Sequence, residues 1–152
     1  VIYGSNVGFH AIDLDDNSTY DIYLANAATQ GHVVPHCIVV LPGTRGQQLL
    51  LCYNMEGVYV DTQGRVTKNV MIQWGEVPTT VQYTSKERLL GWGKRAIEVR
   101  NAKTGQLDGV YNHAKQDHRF KFLCEKNDKV FFCNSKNGNW QVSMMSLSGI
   151  NW

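Results

Sequence analysis

The acidic stretch at residues 13–17 is the first part of the chain whose side chains could hold a metal ion. It places carboxylate and amide oxygens at closely spaced positions, as the beginning of a calcium-binding loop does. Such a loop also needs glycine at its sixth position and a carboxylate at its twelfth. Ser18 and Leu24 occupy those positions here. We therefore predict a plain turn between two strands.

Histidine is the other common metal ligand, and four of the five histidines fall in two pairs, His32 with His36 and His113 with His118. A metal site needs three or four converging ligands, which neither pair supplies. The chain also lacks the G-x-S-x-G, P-loop and dinucleotide-binding motifs, and no Lys-Ser/Thr follows the glycine turn at residues 43–46. We therefore predict no catalytic residue, no metal and no cofactor.

Large aromatic and basic side chains are the remaining candidates for a functional site. Aromatic residues often anchor protein partners, although packing between neighbouring sheets is their commoner use. A basic cluster spans residues 115–121, and its alternative role is a solvated sheet edge. We predict a protein-interaction site that draws on three aromatic and two basic side chains: Trp74, Trp92, Tyr53, Arg119 and Lys121.

These candidates must be positioned by strands, because apolar runs and turns alternate along the whole chain. The run at residues 49–53 is apolar on both faces, which is typical of a strand packed on each side. A turn at residues 54–57, with Gly57 at positive φ, leads to a return strand at residues 58–60. Similar strand–turn–strand segments recur at residues 89–111 and 130–145. The fold class predicted is therefore all-β, built from antiparallel meanders of four strands.

The spacing of these segments predicts propeller blades. The successive steps are 49 residues from Phe9 to Val58, 39 from Val58 to Ile97 and 45 from Ile97 to Val142. Propeller blades repeat with a period of this length. The chain divides into units of roughly 1–34, 35–73, 74–112 and 113–152, all part of one domain. Four units with open ends predict about half of a larger propeller, since an open fan would expose faces and edges. A β-trefoil is the alternative, but it has three repeats.

The overall composition limits the class of partner. A net charge of +2 from 15 basic and 13 acidic residues argues against nucleic-acid binding, and the chain has no apolar stretch long enough for a membrane helix. Because no signal peptide is visible, we expect a cytoplasmic chain with four free, buried cysteines and an unused glycosylation sequon at Asn17. The first residue is Val1 within a predicted strand, so we expect an excised fragment.

Three motifs give the chain a family resemblance: Gly57-Val58-Tyr59-Val60, Gln73-Trp74-Gly75-Glu76 and Gly91-Trp92-Gly93. With the segments around them, they resemble the citron homology domain. More narrowly, the chain is similar to the C-terminal domain of germinal-centre Ste20 kinases of the misshapen/NIK type, a group that includes NIK-related kinase. The resemblance runs along essentially the whole chain and is most specific from Pro35 to Phe132.

The resemblance implies a regulatory and scaffolding function without catalysis. It implies a β-propeller of which this chain is roughly the C-terminal half, in a parent protein with a serine/threonine kinase domain elsewhere. The expected partners are the remainder of its own propeller, Rap-type small GTPases and stress-kinase signalling proteins. No family motif marks a GTPase contact. The alternative function is a β-trefoil or lectin-like module that binds a ligand or glycan through aromatic side chains in its turns.

Overall fold

A computed structural model of the chain describes residues 1–24, 32–112, 119–136 and 138–147. These residues form fourteen β-strands and include no helix. The chain divides into two compact units, Val1–Gln73 and Trp74–Trp152, and each unit contains two antiparallel sheets.

Unit 1 contains a three-stranded and a four-stranded sheet, and each sheet meanders in chain order. The strands of the first sheet are β1 (Ile2–Ser5), β2 (Gly8–Ile12) and β3 (Thr19–Leu24). The strands of the second are β4 (Pro35–Val40), β5 (Gln48–Tyr53), β6 (Glu56–Asp61) and β7 (Val66–Gln73).

Unit 2 repeats this organisation with the four-stranded sheet first. That sheet consists of β8 (Thr80–Tyr83), β9 (Arg88–Trp92), β10 (Ala96–Asn101) and β11 (Leu107–Asn112). The last sheet consists of β12 (Arg119–Lys126), β13 (Lys129–Lys136) and β14 (Asn139–Ser146).

Each unit has a core in which two sheets pack face to face. In unit 1 the core combines Phe9 and Ile22 of the first sheet with Leu49, Leu51 and Val58 of the second. In unit 2 it combines side chains of the β8–β11 sheet with side chains of the β12–β14 sheet: Leu90, Trp92, Ile97, Val99, Phe120, Val130 and Phe132. Strands with long apolar runs, such as β5, therefore sit where both faces are covered.

These sheets confirm the predicted all-β class and its antiparallel meanders. Two of the four sheets have four strands, and the other two have three within the described residues. Each sheet lies inside one of the four predicted unit ranges, whose boundaries stay a prediction. The polar stretch at residues 112–118 is the one part of the sequence that would suit a helical turn, and residues 113–118 of it lie outside the described residues.

The turn between β5 and β6 differs from the prediction in its glycine. Asn54, with φ of 47°, takes the left-handed conformation, whereas Gly57 lies within strand β6. A Cβ atom on Gly57 would lie 3.2 Å from Leu50 Cδ1 and 3.3 Å from Ile72 Cβ. Gly57 is therefore suited to a crowded sheet face, and asparagine satisfies the turn because it tolerates positive φ.

Candidate functional site

The three aromatic side chains predicted to bind a partner are buried. Trp74, Trp92 and Tyr53 are each at most 2% exposed. Tyr53 packs in the core of unit 1, where burial raises the pKa of its hydroxyl well above its usual value. Trp92 packs against Phe122 and Phe132 in the core of unit 2. This corrects the prediction, because these side chains are not available to a partner while the chain is folded.

Trp74 shows why two of the diagnostic motifs occur together. A Cβ atom on Gly91 would lie 2.4 Å from Cζ3 of Trp74, so the indole ring occupies the space that a side chain there would need. Arg100 covers the ring, with its guanidinium carbon 5.6 Å from the ring centroid. A Cβ atom on Gly93 would lie 2.2 Å from Oε1 of Glu76. The Gln73–Glu76 and Gly91–Gly93 motifs are therefore complementary parts of one packed structure.

An open cavity of about 410 Å³ adjoins this structure in unit 2. Its residues are Gly75, Glu76, Arg95, Ala96, Glu98, Arg100, Leu107 and Val110. The side chain of Glu98 is nearly buried and accepts hydrogen bonds from the Gly75 amide (2.7 Å) and from Arg100 Nη2 (2.9 Å) and Nε (3.2 Å). Arg100 also donates to the Gly105 carbonyl at 3.1 Å. Glu98 and Arg100 neutralise each other's charge, so we interpret this ion pair as structural.

Glu76 and Arg95 form the outer part of the same cavity. The Glu76 carboxylate accepts hydrogen bonds from the backbone amides of Arg95 (2.9 Å) and Ala96 (3.0 Å). Arg95 Nε lies 3.6 Å from Glu76 Oε2, but 82% of the Arg95 side chain is exposed. Arg95 can therefore reach an anionic group on a partner, whereas the two carboxylates are engaged with the protein.

The sequence analysis missed a hydrogen-bonded chain of Ser5, His10 and Asp21 on the first sheet. Ser5 Oγ lies 2.6 Å from His10 Nε2, and His10 Nδ1 lies 2.7 Å from Asp21 Oδ1. The Tyr3 ring packs on the imidazole with centroids 5.2 Å apart. The three residues lie on β1, β2 and β3, so strand register alone would have placed His10 opposite Asp21.

These residue types are those of a Ser-His-Asp triad, but the residue types alone do not make an active site. Acyl transfer also needs oxyanion donors and a substrate pocket close to the nucleophile. Ser5 Oγ accepts a hydrogen bond from the Val7 amide at 3.2 Å, and neither the cavity at Glu98 nor the one at His36 includes these three residues. The network ties three neighbouring strands together on an open sheet face.

The acidic stretch forms the β2–β3 turn. Asp13 accepts a hydrogen bond from the Asp15 amide, and Asp16 accepts one from the Ser18 amide; hydrogen bonding to Ser18 lowers the pKa of Asp16. Asn17 has φ of 57°. Throughout the part of the chain that the structure describes, no three His, Cys, Asp or Glu side chains are grouped to hold a metal ion.

The remaining histidines with described positions contact backbone carbonyls. His32 Nδ1 lies 3.0 Å from the Val33 carbonyl oxygen. His36 Nε2 lies 3.1 Å from the Asn54 carbonyl oxygen, and burial lowers the pKa of the His36 imidazole. The predicted pair His113 and His118 lies outside the described residues.

The four cysteines form no disulfide, as predicted, but they are not all buried. Cys52 is buried, and desolvation raises the pKa of its thiol. Cys37 and Cys133 are partly buried, and Cys124 is exposed on β12. The prediction of four buried thiols is therefore wrong for Cys124.

The two basic candidates lie on β12. Lys121 is exposed and is aligned with Cys133 on β13, which is aligned in turn with Val142 on β14. Arg119 occupies the first position of β12, opposite Ser135. Residues 115–118 of the predicted cluster lie outside the described residues. A role for Arg119 and Lys121 in binding a partner stays a prediction.

The family described as the CNH domain matches residues 1–126 of this chain. The chain belongs to the CNH family. A CNH domain is a regulatory segment without catalytic activity, which agrees with the prediction made from the motifs. The Ser5–His10–Asp21 network is therefore a structural feature of this CNH domain.

Two kinases of the misshapen/NIK type are similar to this CNH domain along nearly its whole length. Serine/threonine-protein kinase mig-15 of Caenorhabditis elegans is 56% identical over 149 residues, covering 97% of this chain and 13% of the kinase. Misshapen-like kinase 1 of Rattus norvegicus is 51% identical over 156 residues, covering 100% of this chain and 12% of the kinase. The narrower resemblance is thus confirmed, and the chain spans about one eighth of the length of these relatives.

A solved structure shows the same fold. The AfRom2 CNH domain matches with a TM-score of 0.75 at 19% identity, over 99% of this chain and 50% of that chain. This likeness confirms the propeller-type fold and excludes the β-trefoil alternative, since four meandering sheets replace three repeats. None of the described residues belongs to a helix that could span a membrane.

Proposed function

We propose that this CNH domain is a non-catalytic protein-interaction module of a Ste20-type serine/threonine kinase and acts in the cytoplasm. The observation that carries the proposal is the 51–56% identity to two proteins named as kinases, over 97–100% of the chain. Because the domain accounts for only 12–13% of those proteins, the phosphoryl-transfer activity would belong to another part of the parent chain.

The proposed partners are Rap-type small GTPases and proteins of stress-kinase signalling. A small GTPase would bind through complementarity of shape and charge with the surface of the domain. Among the exposed cations, Lys121 on β12 and Arg95 beside the Glu98 cavity are our candidates for contact with an acidic surface. Cations at the border of an interface raise association rates and select partners by charge.

The domain supports this function by holding such side chains on a rigid scaffold. The Arg100–Glu98 ion pair, the Gly75 amide and the Trp74 ring fix the segment before β8 against strand β10. A partner would therefore meet a surface that is already ordered, and binding would cost little conformational entropy.

The test is binding of a Rap-type GTPase to the complete CNH domain, in GTP-loaded and GDP-loaded forms. We expect tighter binding of the GTP-loaded form. The variant Lys121→Glu should weaken it roughly threefold to tenfold, as expected for charge reversal at an interface border. Lys94→Glu, at another exposed lysine, is the matched control and should have no effect. Equal absence of binding in both nucleotide states would remove the GTPase from the proposal.

A further inference from the structure

Two cysteines lie opposite each other on strands β4 and β5 of unit 1. In the strand register Cys37 is the direct partner of Cys52, although the two are 15 residues apart along the chain. Directly opposed residues of antiparallel strands project from the same face and have Cα atoms about 4.5–5.5 Å apart. Disulfides span Cα separations of about 4.4–6.8 Å. The pair therefore has the spacing of a disulfide, although neither cysteine forms one in this structure.

The surroundings of Cys52 show that the two sulfur atoms are neighbours. Burial raises the pKa of the Cys52 thiol, and so does Cys37, as expected when two sulfurs that can each carry a negative charge lie close together. On its other side, Cys52 is the register partner of Gly57, where a Cβ atom would lie 3.6 Å from Cys52 Sγ. Because glycine occupies that position, no side chain on β6 crowds the sulfur.

The two thiols differ in their access to solvent. Cys52 is 0% exposed, whereas Cys37 is only partly buried. Cys37 also lines an open cavity of about 260 Å³ in unit 1. A small oxidant can therefore reach Cys37 first, while Cys52 lies behind it. An accessible thiol with a second thiol beside it is the arrangement in which oxidation leads to a disulfide.

We propose that Cys37 and Cys52 form a reversible oxidation site, at which a hydroperoxide converts the two thiols into a disulfide between β4 and β5. With hydrogen peroxide, the Cys37 thiolate attacks one oxygen and the O–O bond breaks. Cys37 becomes a sulfenic acid, and the released hydroxide recovers the thiol proton as water. The Cys52 sulfur then attacks the Cys37 sulfur; the S–S bond forms, the S–O bond breaks, and the departing hydroxide takes the Cys52 proton as a second water. The two sulfurs together lose two electrons, which the peroxide gains.

The geometry makes this disulfide easy to reduce. Directly opposed Cβ atoms lie about 4.5–5.5 Å apart, whereas a disulfide holds its Cβ atoms about 3.5–4.5 Å apart. Closing the bond would therefore draw β4 toward β5. Strand β4 can shift more easily than an inner strand, because it is at the end of its sheet and its register changes between Pro35 and Cys37. A strained disulfide has a higher reduction potential than a relaxed one, so a dithiol reductant should reopen it.

Peptide mass spectrometry of the unmodified protein tests the proposal. The complete CNH domain is oxidised with hydrogen peroxide, its remaining thiols are blocked with N-ethylmaleimide, and it is digested with trypsin without reduction. Trypsin cleaves after Arg45 and Arg65, so Cys37 and Cys52 fall in separate peptides that a disulfide would join into one mass. We expect this joined mass, and we expect its loss after treatment with dithiothreitol.

The other two cysteines provide a matched control in the same digest. Cys124 on β12 and Cys133 on β13 are only nine residues apart along the chain, but the register pairs each with a different residue. In the folded protein, the Cys37–Cys52 link should be at least about tenfold more abundant than a Cys124–Cys133 link, because only the first pair has disulfide spacing. In denaturant the order should reverse, because the shorter loop closes more easily.

Two variants separate the roles of the two thiols. Cys52→Ala should abolish the joined mass and leave Cys37 as a sulfenic acid, which dimedone traps. Cys124→Ala removes an exposed thiol and should leave the Cys37–Cys52 link unchanged. Because the first measurement uses unmodified protein, failure of Cys52→Ala to fold leaves the proposal testable.

Three results would overturn the proposal. Cys37 that stays unoxidised, or is oxidised to an acid without a link to Cys52, would show that the two thiols do not react together. A link between the Cys37 residues of two copies would show an intermolecular reaction instead. An excess of the Cys37–Cys52 link that is the same in denaturant would show that strand pairing is not its cause.

Discussion

The open faces of the first and last sheets differ in how their side chains meet water. On the β1–β3 sheet, Ser5, His10 and Asp21 form hydrogen bonds with one another. On the β12–β14 sheet, Trp140, Val142 and Met144 present only apolar surface. A face whose polar groups form hydrogen bonds with one another is stable in solvent. Covering an apolar face with another surface, in contrast, lowers the free energy. The same strand architecture can therefore present a hydrogen-bonded polar face or an exposed apolar face.

The largest expected effect is a difference in the free energy of unfolding between substitutions on the two sides of the β12–β14 sheet. Phe132→Ala removes a ring from the core of unit 2 and should lower the free energy of unfolding by about 3–5 kcal/mol. Val142→Ala, on the exposed side of β14, should change it by less than about 0.5 kcal/mol in residues 1–152. Denaturant unfolding of both variants measures the difference. A large loss from Val142→Ala in this chain would mean that the face is already covered.

A smaller effect is expected from the polar network on the first sheet. The His10 side chain is 13% exposed and the Asp21 side chain 58%, so solvent weakens the interaction between them. A double-mutant cycle with His10→Gln and Asp21→Asn should give a coupling free energy of about 0.5–1 kcal/mol. Zero coupling would contradict our view that this network stabilises the open face. Asp15→Asn, in the exposed β2–β3 turn, provides a control for charge loss alone.

Acid should lower the stability of unit 1 through His36. Burial lowers the pKa of this histidine from its ordinary value of 6.5, so the unfolded chain takes up a proton first as the pH falls. Stability is therefore fully present above pH 6.5 and decreases as the pH falls below it. Thermal unfolding between pH 7.5 and 5 should show this decrease, and His36→Gln should reduce it. An unchanged pH profile in the variant would exclude His36 as the cause.

The smallest expected effect is on ester hydrolysis. Although Ser5, His10 and Asp21 have the residue types of a hydrolytic triad, we expect the purified domain to hydrolyse a chromogenic acetate ester only at the rate of an unrelated protein. Ser5→Ala should leave that rate unchanged, because neither the cavity at Glu98 nor the one at His36 includes Ser5, His10 or Asp21. Turnover abolished by Ser5→Ala would show that the polar face has a catalytic function.

Sequence reasoning succeeded where the signal is local. Strand alternation, turn residues and the 39–49-residue steps between similar segments predicted antiparallel meanders, and the structure has them. The motifs around Trp74 and Trp92 led to the correct family for the same reason, since short strings of residues carry that information. Family membership in turn supported the prediction of a non-catalytic segment.

Sequence reasoning failed where the position of a side chain depends on which strands pair with one another. Trp74 was predicted to take part in a protein-interaction site, but Gly91 on β9 leaves the space into which its ring packs. Gly57 was assigned to a turn that Asn54 forms instead. The Ser5–His10–Asp21 network was missed, because its members are unremarkable along the chain and meet only through the pairing of β1, β2 and β3.

The order of apolar and polar residues along the 152-residue chain was sufficient to specify strands and turns, and short motifs carried the resemblance to the CNH family, because both depend on neighbouring residues. Folding was needed to decide which aromatic rings are buried and which apolar face stays open. Burial depends on contacts between strands that are distant in sequence, such as β9 with β12, and no local pattern encodes their packing. Trp140 and Trp92 show this dependence most clearly. They are the same residue type, and only their sheet environment makes Trp140 exposed and Trp92 buried.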